Sequence, residues 1–283
     1  MTGIDVSYWQ GKPVGSRYKK FKSAGWDFII ARIGYASGGI RRADSTFDHN
    51  YKYARKYGLK MGVYFYSNAR NAKDGCADAQ YVLRLLKKRK LDMPIWIDME
   101  DNATSGRASR SQLAAACKSF CSTIEAAGYK AGVYASTSWL QSKIGNIAGL
   151  RVWVAQYNDR VTYNGRYDIW QYSSTITVPG FSGRRDVNRC YVTYTEKTEL
   201  PKAYVGNFPK LPLKGYFKRG DKGTQVKYLQ RFLRWATGRG IAADGIIGEK
   251  TINAVLDFQG FNGLVEDGLF GKNCLAKAKK MKL

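Results

Sequence analysis

A chain of 283 residues, 44% hydrophobic and 14% aromatic, is long enough for one large domain and one small one, each with its own core. Its net charge of +25, divided as +15 over residues 1–200 and +10 over residues 201–283, predicts attraction to a polyanion: nucleic acid, anionic lipid or a wall polymer. No run of about 18 apolar residues exists, so no membrane insertion is expected, and the single histidine, His49, excludes zinc sites built on two or three.

Met1-Thr2 leads straight into the first strand, Gly3–Ser7, with no basic n-region. Action inside the producing cell, or exit by a route other than a signal peptide, is expected. Further strands are read at Asp27–Tyr35, Lys60–Ser67, Pro94–Glu100, Lys130–Ser136, Leu150–Tyr157, Tyr167–Ser173 and Arg185–Cys190. Helical patterns lie between the early ones: Phe47–Tyr57 before Gly58, Asp74–Arg89, and Ser111–Ala127 before Gly128. The fold class is α/β, an irregular TIM-like (β/α) barrel, because eight strands with intervening helices suggest closure. The later strands leave little room for helices, so the second half should be irregular. His49, near the start of a helix, reads as a surface or loop residue and not as a catalyst. The five cysteines (Cys76, Cys117, Cys121, Cys190 and Cys274) form an odd, irregular set that argues against a disulfide framework.

The fourth strand ends in Asp98-Met99-Glu100. Alternation puts both acids on one face, with backbone positions about 6.6 Å apart. Desolvation and mutual repulsion would keep one of them protonated. A protonated acid beside an ionised one is what glycosidic cleavage needs, and it calls for no metal and no cofactor. A solvated strand end followed by an acidic turn is the alternative. Residues at the carboxyl ends of barrel strands line the active site. Tyr64, Tyr66, Trp96, Tyr134, Trp153, Tyr157 and Trp170 are candidates for stacking on sugar rings there, with core filling as the alternative. Tyr64 and Tyr134 occupy equivalent places in an internal echo, Tyr57–Tyr64 against Ala127–Tyr134.

Three of the six prolines fall between Pro201 and Pro212, so residues 196–215 read as an extended, semi-rigid linker. Beyond it, Asp244-Gly245-Ile246-Ile247-Gly248 is repeated as Asp267-Gly268-Leu269-Phe270-Gly271, each followed by a helix. Residues 216–283 therefore form a small three-helix module, too short for an enzyme centre and suited to binding.

Four motifs in order (Gly3-Ile4-Asp5-Val6-Ser7-Tyr8-Trp9-Gln10, Asp98-Met99-Glu100, Trp170-Gln171-Tyr172 and Asp186-Val187-Asn188) resemble glycoside hydrolase family 25, the Chalaropsis-type lysozymes common among bacteriophage endolysins. The resemblance covers residues 1–195. Residues 216–283 resemble the peptidoglycan-binding domain 1 family, with Cys274 where Thr is usual. The resemblance implies an N-acetylmuramidase that cuts the β-1,4 bond between N-acetylmuramic acid and N-acetylglucosamine in bacterial peptidoglycan, with net retention. Glu100 would be the general acid. Asp98 would stabilise charge at the anomeric carbon, by orienting the acetamido group or by direct attack. Asp5 and Asp186, on the first and last strands, would complete a four-acid cluster when the barrel closes. The endolysin pattern further implies accumulation in the host cytoplasm until lysis, then action at the wall. A chitinase-like glycosidase and a non-enzymatic wall- or nucleic-acid-binding protein are the competing readings; no nucleic-acid recognition motif is present. The runs Lys87–Lys90 and Lys277–Lys282 fit anionic wall polymers, or simply solvated helix faces.

Overall fold

The computed structural model describes residues 1–194, 204, 206–237, 241–261 and 264–280. They divide into two compact units, one built from Met1–Ile124 and Tyr129–Leu200, the other essentially from Pro201–Leu283.

In the first unit the chain runs β1 (Thr2–Val6), α1 (Gly15–Ser23), β2 (Phe28–Ser37), β3 (Ile40–Ala43), α2 (Phe47–Lys56), β4 (Lys60–Tyr66), α3 (Ala72–Leu86), β5 (Ile95–Asp98) and α4 (Arg110–Ala126). It continues through β6 (Ala131–Ser136), β7 (Arg151–Ala155), β8 (Ile169–Val178) and β9 (Phe181–Cys190). Strands β1, β2, β4, β5, β6, β7, β8 and β9 pair in that order, and β9 returns to β1, closing an eight-stranded barrel. Neighbours are parallel from β1 to β8, whereas β9 runs antiparallel to both β8 and β1. Helices separate the early strands. Past β6 only a single π turn, Trp139–Lys143, intervenes before β7, and a tight turn through Gly180 joins β8 to β9. The irregular second half is thus an absence of crossover α-helices: irregular segments make the parallel β6–β7 and β7–β8 crossovers, and the antiparallel β8–β9 step needs none.

Within the first unit, helix α1 and strand β3 escaped the sequence reading. Helix α1 carries four basic residues and buries only Tyr18 and Phe21, which meet the ring of Phe181 at 5.2 Å each, so its apolar stripe is thin. Strand β3 is a short, mostly exposed hairpin partner of β2. His49 lies in α2, half-buried, with Nε2 2.7 Å from the carbonyl of Pro13.

Strand β5 is buried on both faces, and its residues Ile95, Trp96 and Ile97 form an unbroken apolar run up to Asp98. Phe28, Ile30, Trp96, Trp153 and Ile169 fill the barrel interior. Room for the Trp96 indole comes from its register partner Gly132, where a Cβ would lie 2.3 Å from the ring. All five cysteines are buried, and none of them is in a disulfide.

The second unit holds α5 (Thr224–Thr237), α6 (Glu249–Phe261) and α7 (Lys272–Lys280), with a two-residue antiparallel pair, β10 (Tyr216–Phe217) and β11 (Phe270–Gly271). Phe232, Phe258 and Phe270 form its aromatic centre. Tyr204, Phe208 and Leu211 pack into the same core, and Lys210 N donates to Gln225 Oε1 at 2.7 Å. The described residues of the 196–215 stretch, read as an extended and semi-rigid linker, thus carry apolar side chains that pack in the small unit. Pro209 and Pro212 restrict the backbone beside Phe208 and Leu211, which pack on the small unit's core. Residues 195–203 and 205, and the end of the Lys277–Lys282 run, lie outside the described residues.

Candidate active site

The carboxyl end of the barrel holds a cleft of about 220 Å³ lined by Asp5, Tyr64, Asp98, Glu100, Tyr134, Trp153, Tyr157, Gln171 and Asp186. Each acid arrives by a different backbone device. Asp98 is the last residue of β5, and Glu100 follows just beyond the ladder. Asp5 on β1 stands directly opposite Asp186 on antiparallel β9. Closure of the barrel therefore unites acids 181 positions apart in sequence with the Asp98–Glu100 pair.

Burial grades the four. Asp98 (3% exposed) and Asp5 (7% exposed) lie on the floor, Asp186 is half-buried, and Glu100 is exposed at the mouth. Burial pushes the Asp98 carboxyl well above the usual carboxylate range, and the charges of Glu100 and Asp5 push it further, against the opposing pull of Arg32. Asp98 Oδ1 has no protein hydrogen-bond partner. Asp5 is raised by burial and by Asp186, while its Oδ2 accepts from Gln171 Nε2 at 2.9 Å and Asn188 Nδ2 at 2.8 Å. Glu100 is raised by burial of its carboxyl within the cleft, then by the charge of Asp186. Asp186 is raised by burial and drawn back by Arg185. Four acids held this close cannot all ionise freely, so the cluster retains protons at pH values where a solvated carboxylate has lost them.

Two amides knit the wall. Gln171 Oε1 accepts from the hydroxyls of Tyr134 (3.0 Å) and Tyr157 (2.8 Å), and Asn188 Oδ1 accepts from Trp153 Nε1 (2.8 Å). The site can therefore donate a proton at its mouth and stabilise positive charge at its floor, between aromatic walls.

The model for the glycosyl hydrolases family 25 matches residues 4–181, a span that contains Asp5, Asp98 and Glu100. The chain belongs to this family. A second model, the putative peptidoglycan binding domain, matches residues 222–277. The autolytic lysozyme of Clostridium acetobutylicum is 28% identical over 283 residues, covering 99% of this chain and 79% of that one. Lysozyme M1 of Streptomyces globisporus is 28% identical over 202 residues, 66% of each. Among solved structures, the modular autolysin LytC from Streptococcus pneumoniae in complex with a synthetic peptidoglycan ligand superposes with a TM-score of 0.59 at 30% identity. That match covers 66% of this chain and 46% of LytC.

Within the family 25 domain the structure brings together Asp5, Asp98, Glu100 and Asp186 with Tyr64, Tyr134, Trp153 and Tyr157, and leaves three expected aromatics out. Trp96 shares the inward face with Asp98, but two residues down the strand is a layer deeper, and Trp153 covers it at 5.9 Å. Trp170 points away, because on β8 it is Gln171 that faces inward; its Nε1 donates to Gln156 O at 2.8 Å. Tyr66 stands at the rim outside the cleft, its phenol pushed up to about 12 by burial and then by Asp101, Asp98 and Glu100. The sequence reading missed Gln171 and Asn188, which sit in quoted motifs at inward positions, and Arg32. A lone cation in the apolar run Phe28–Ser37 was the available signal for Arg32; its Nε donates to buried Asp44 at 2.8 Å.

Proposed function

We propose that this family 25 enzyme is a lysozyme that hydrolyses the β-1,4 bond between N-acetylmuramic acid and N-acetylglucosamine of bacterial peptidoglycan with net retention. The observation that carries the reading is the closure of Asp5 and Asp186 over the Asp98–Glu100 pair in one aromatic-walled cleft. Glu100, raised in pKa and accessible at the mouth, protonates the leaving glycosidic oxygen. As the bond breaks, positive charge grows at the anomeric carbon, and Asp98 stabilises it from the floor. Its unpaired Oδ1 either holds the N–H of the substrate's acetamido group for internal attack or attacks the carbon itself. Either route proceeds through an intermediate on the opposite face, and Glu100, now ionised, activates the water that resolves it. Asp186 keeps Glu100 protonated, and Asp5 supports the floor from beside it. Tyr64, Tyr134, Trp153 and Tyr157 hold the sugar ring.

Residues 1–195 carry this chemistry and the small unit binds peptidoglycan, in keeping with the second family match. The excess of cations concentrates the enzyme on anionic wall polymers. Purified peptidoglycan digested with wild type and with Glu100→Gln tests the reading, after borohydride reduction and mass spectrometry of the new ends. Reduced muramic acid is expected with wild type, falling by about 10²–10⁴ with Glu100→Gln. Reduced glucosamine ends, or full activity in the variant, would overturn it.

A further inference from the structure

Trp9 is 74% exposed, an unusual state for the largest aromatic side chain, and it lies on the loop that leaves β1 at the active-site end of the barrel. The loop is built, not loose. Ser7 and Gln10 form a reciprocal capping box around the turn Tyr8–Gln10. Trp9 rests on Tyr8, ring centroids 4.4 Å apart, and Tyr8 neighbours Tyr35 at 6.4 Å. Beneath them the Arg32 guanidinium lies 4.6 Å from the Tyr8 ring centroid and 5.0 Å from that of Tyr35. Buried Asp44 holds Arg32 at 2.8 Å and also accepts from Tyr8 N at 3.0 Å. Arg32 also ties this loop to the cleft: it stands opposite the cleft residue Tyr64 in the β2–β4 register, and its charge acts on Asp98.

We propose that Trp9, backed by Tyr8, is a stacking shelf for a pyranose ring of the glycan strand, a subsite remote from the scissile bond. The proposal rests on the glycosidase reading of the acid cleft. A volume of about 220 Å³ is below the roughly 300–1,000 Å³ of a pocket that encloses a drug-sized ligand, so a polymeric substrate must continue along the rim. The apolar face of a sugar ring matches an exposed aromatic face, and the ion pair below keeps that face fixed, which lowers the ordering cost of binding. Neither an acid nor a general hydrogen-bonding group, Trp9 acts on substrate length and not on the chemical step.

Defined glycan strands of alternating N-acetylglucosamine and N-acetylmuramic acid test this, as a tetrasaccharide and an octasaccharide. Calorimetric binding is measured in the Glu100→Gln background and kcat/KM in the active enzyme. Trp9→Ala should lose about tenfold on the octasaccharide, ~1.4 kcal/mol, and nothing on the tetrasaccharide, with Trp9→Phe close to wild type. Equal losses on both lengths, or none on the octasaccharide, would overturn the shelf. Length-dependent binding through Trp9 in a wild type that cuts neither substrate would uphold the shelf and sink the cleavage reading instead. Because Trp9 is exposed, an unchanged melting temperature is expected for both variants.

Discussion

Glu100 and Asp98 line the same cleft but differ in access to solvent, and that difference underlies the tasks proposed for them. A group that must hand its proton to a leaving oxygen belongs at the mouth with a raised pKa, and the raising agents at Glu100 are burial and Asp186. Removing the Asp186 charge while keeping its shape should therefore ease ionisation of Glu100. In Asp186→Asn the folded pKa of Glu100 falls, the acid is lost at lower pH, and the alkaline limb of the kcat/KM profile moves to the acid side. A pH–rate series on soluble glycan fragments checks the sign. A limb that stays in place, or moves to higher pH, would show that Asp186 does not act on Glu100 through its charge. Lowered activity at every pH without a shift would assign Asp186 a contact with substrate instead.

At the level of elements, what could be read in the sequence was whatever depends on neighbours along the chain. The D-x-E pair of β5 was legible because alternation places both acids on one face, and so were the eight barrel strands. Depth was not: Trp96 and Asp98 share a face, yet the layer that hides Trp96 is supplied by Trp153 from β7. Facing was misjudged on β8, where Trp170 drew attention and Gln171 occupies the inward position. The small unit shows the same limit. Its repeated D-G-x-x-G turns are plain in sequence, but the residues that hold them are not. Gln230 Nε2 donates to Asp244 Oδ1 at 2.8 Å while its Oε1 accepts from Gly245 N at 2.8 Å. Gln259 repeats the clamp on Asp267 (2.6 Å) and Gly268 (2.9 Å). Both glycines have positive φ, +85° and +73°, which an L side chain resists. The aspartates are thus occupied in fixing their own turns. Gln230→Leu should destabilise the small unit by about 2–4 kcal/mol, since the buried Gly245 N–H and Thr251 hydroxyl lose their partner at about 1–3 kcal/mol each. Calorimetry of the full chain should show the transition of the small unit lowered and that of the barrel unchanged; an unshifted small-unit transition would mean the turn holds without its clamp.

Across the whole molecule, the acid cleft and the match to the peptidoglycan binding domain fall in different units, and charge is common to both. All four acids precede residue 195, whereas residues 201–283 supply +10 of the +25. Where the chain is cut decides whether this division can be tested. Tyr204, Phe208 and Leu211 belong to the small unit's core, so a cut at 215 would leave its apolar partners attached to the barrel, exposed and prone to association. A protein ending at 194 avoids this. It should cleave soluble glycan fragments at close to the full-length rate and bind purified walls more weakly. Surface charges are screened beyond about 8 Å at physiological ionic strength, so attraction to wall anions should weaken steeply as salt is raised. Specific attachment by the small unit, which depends on contact and not on distant fields, should resist salt. Sedimentation of walls with the full chain and with residues 1–194, from low salt to about 1 M, where the screening length shrinks to about 3 Å, separates the two. The full chain is expected to retain a salt-resistant fraction that the shortened protein lacks. If both release their walls at the same salt concentration, charge alone holds the enzyme, and the small unit has some task other than attachment.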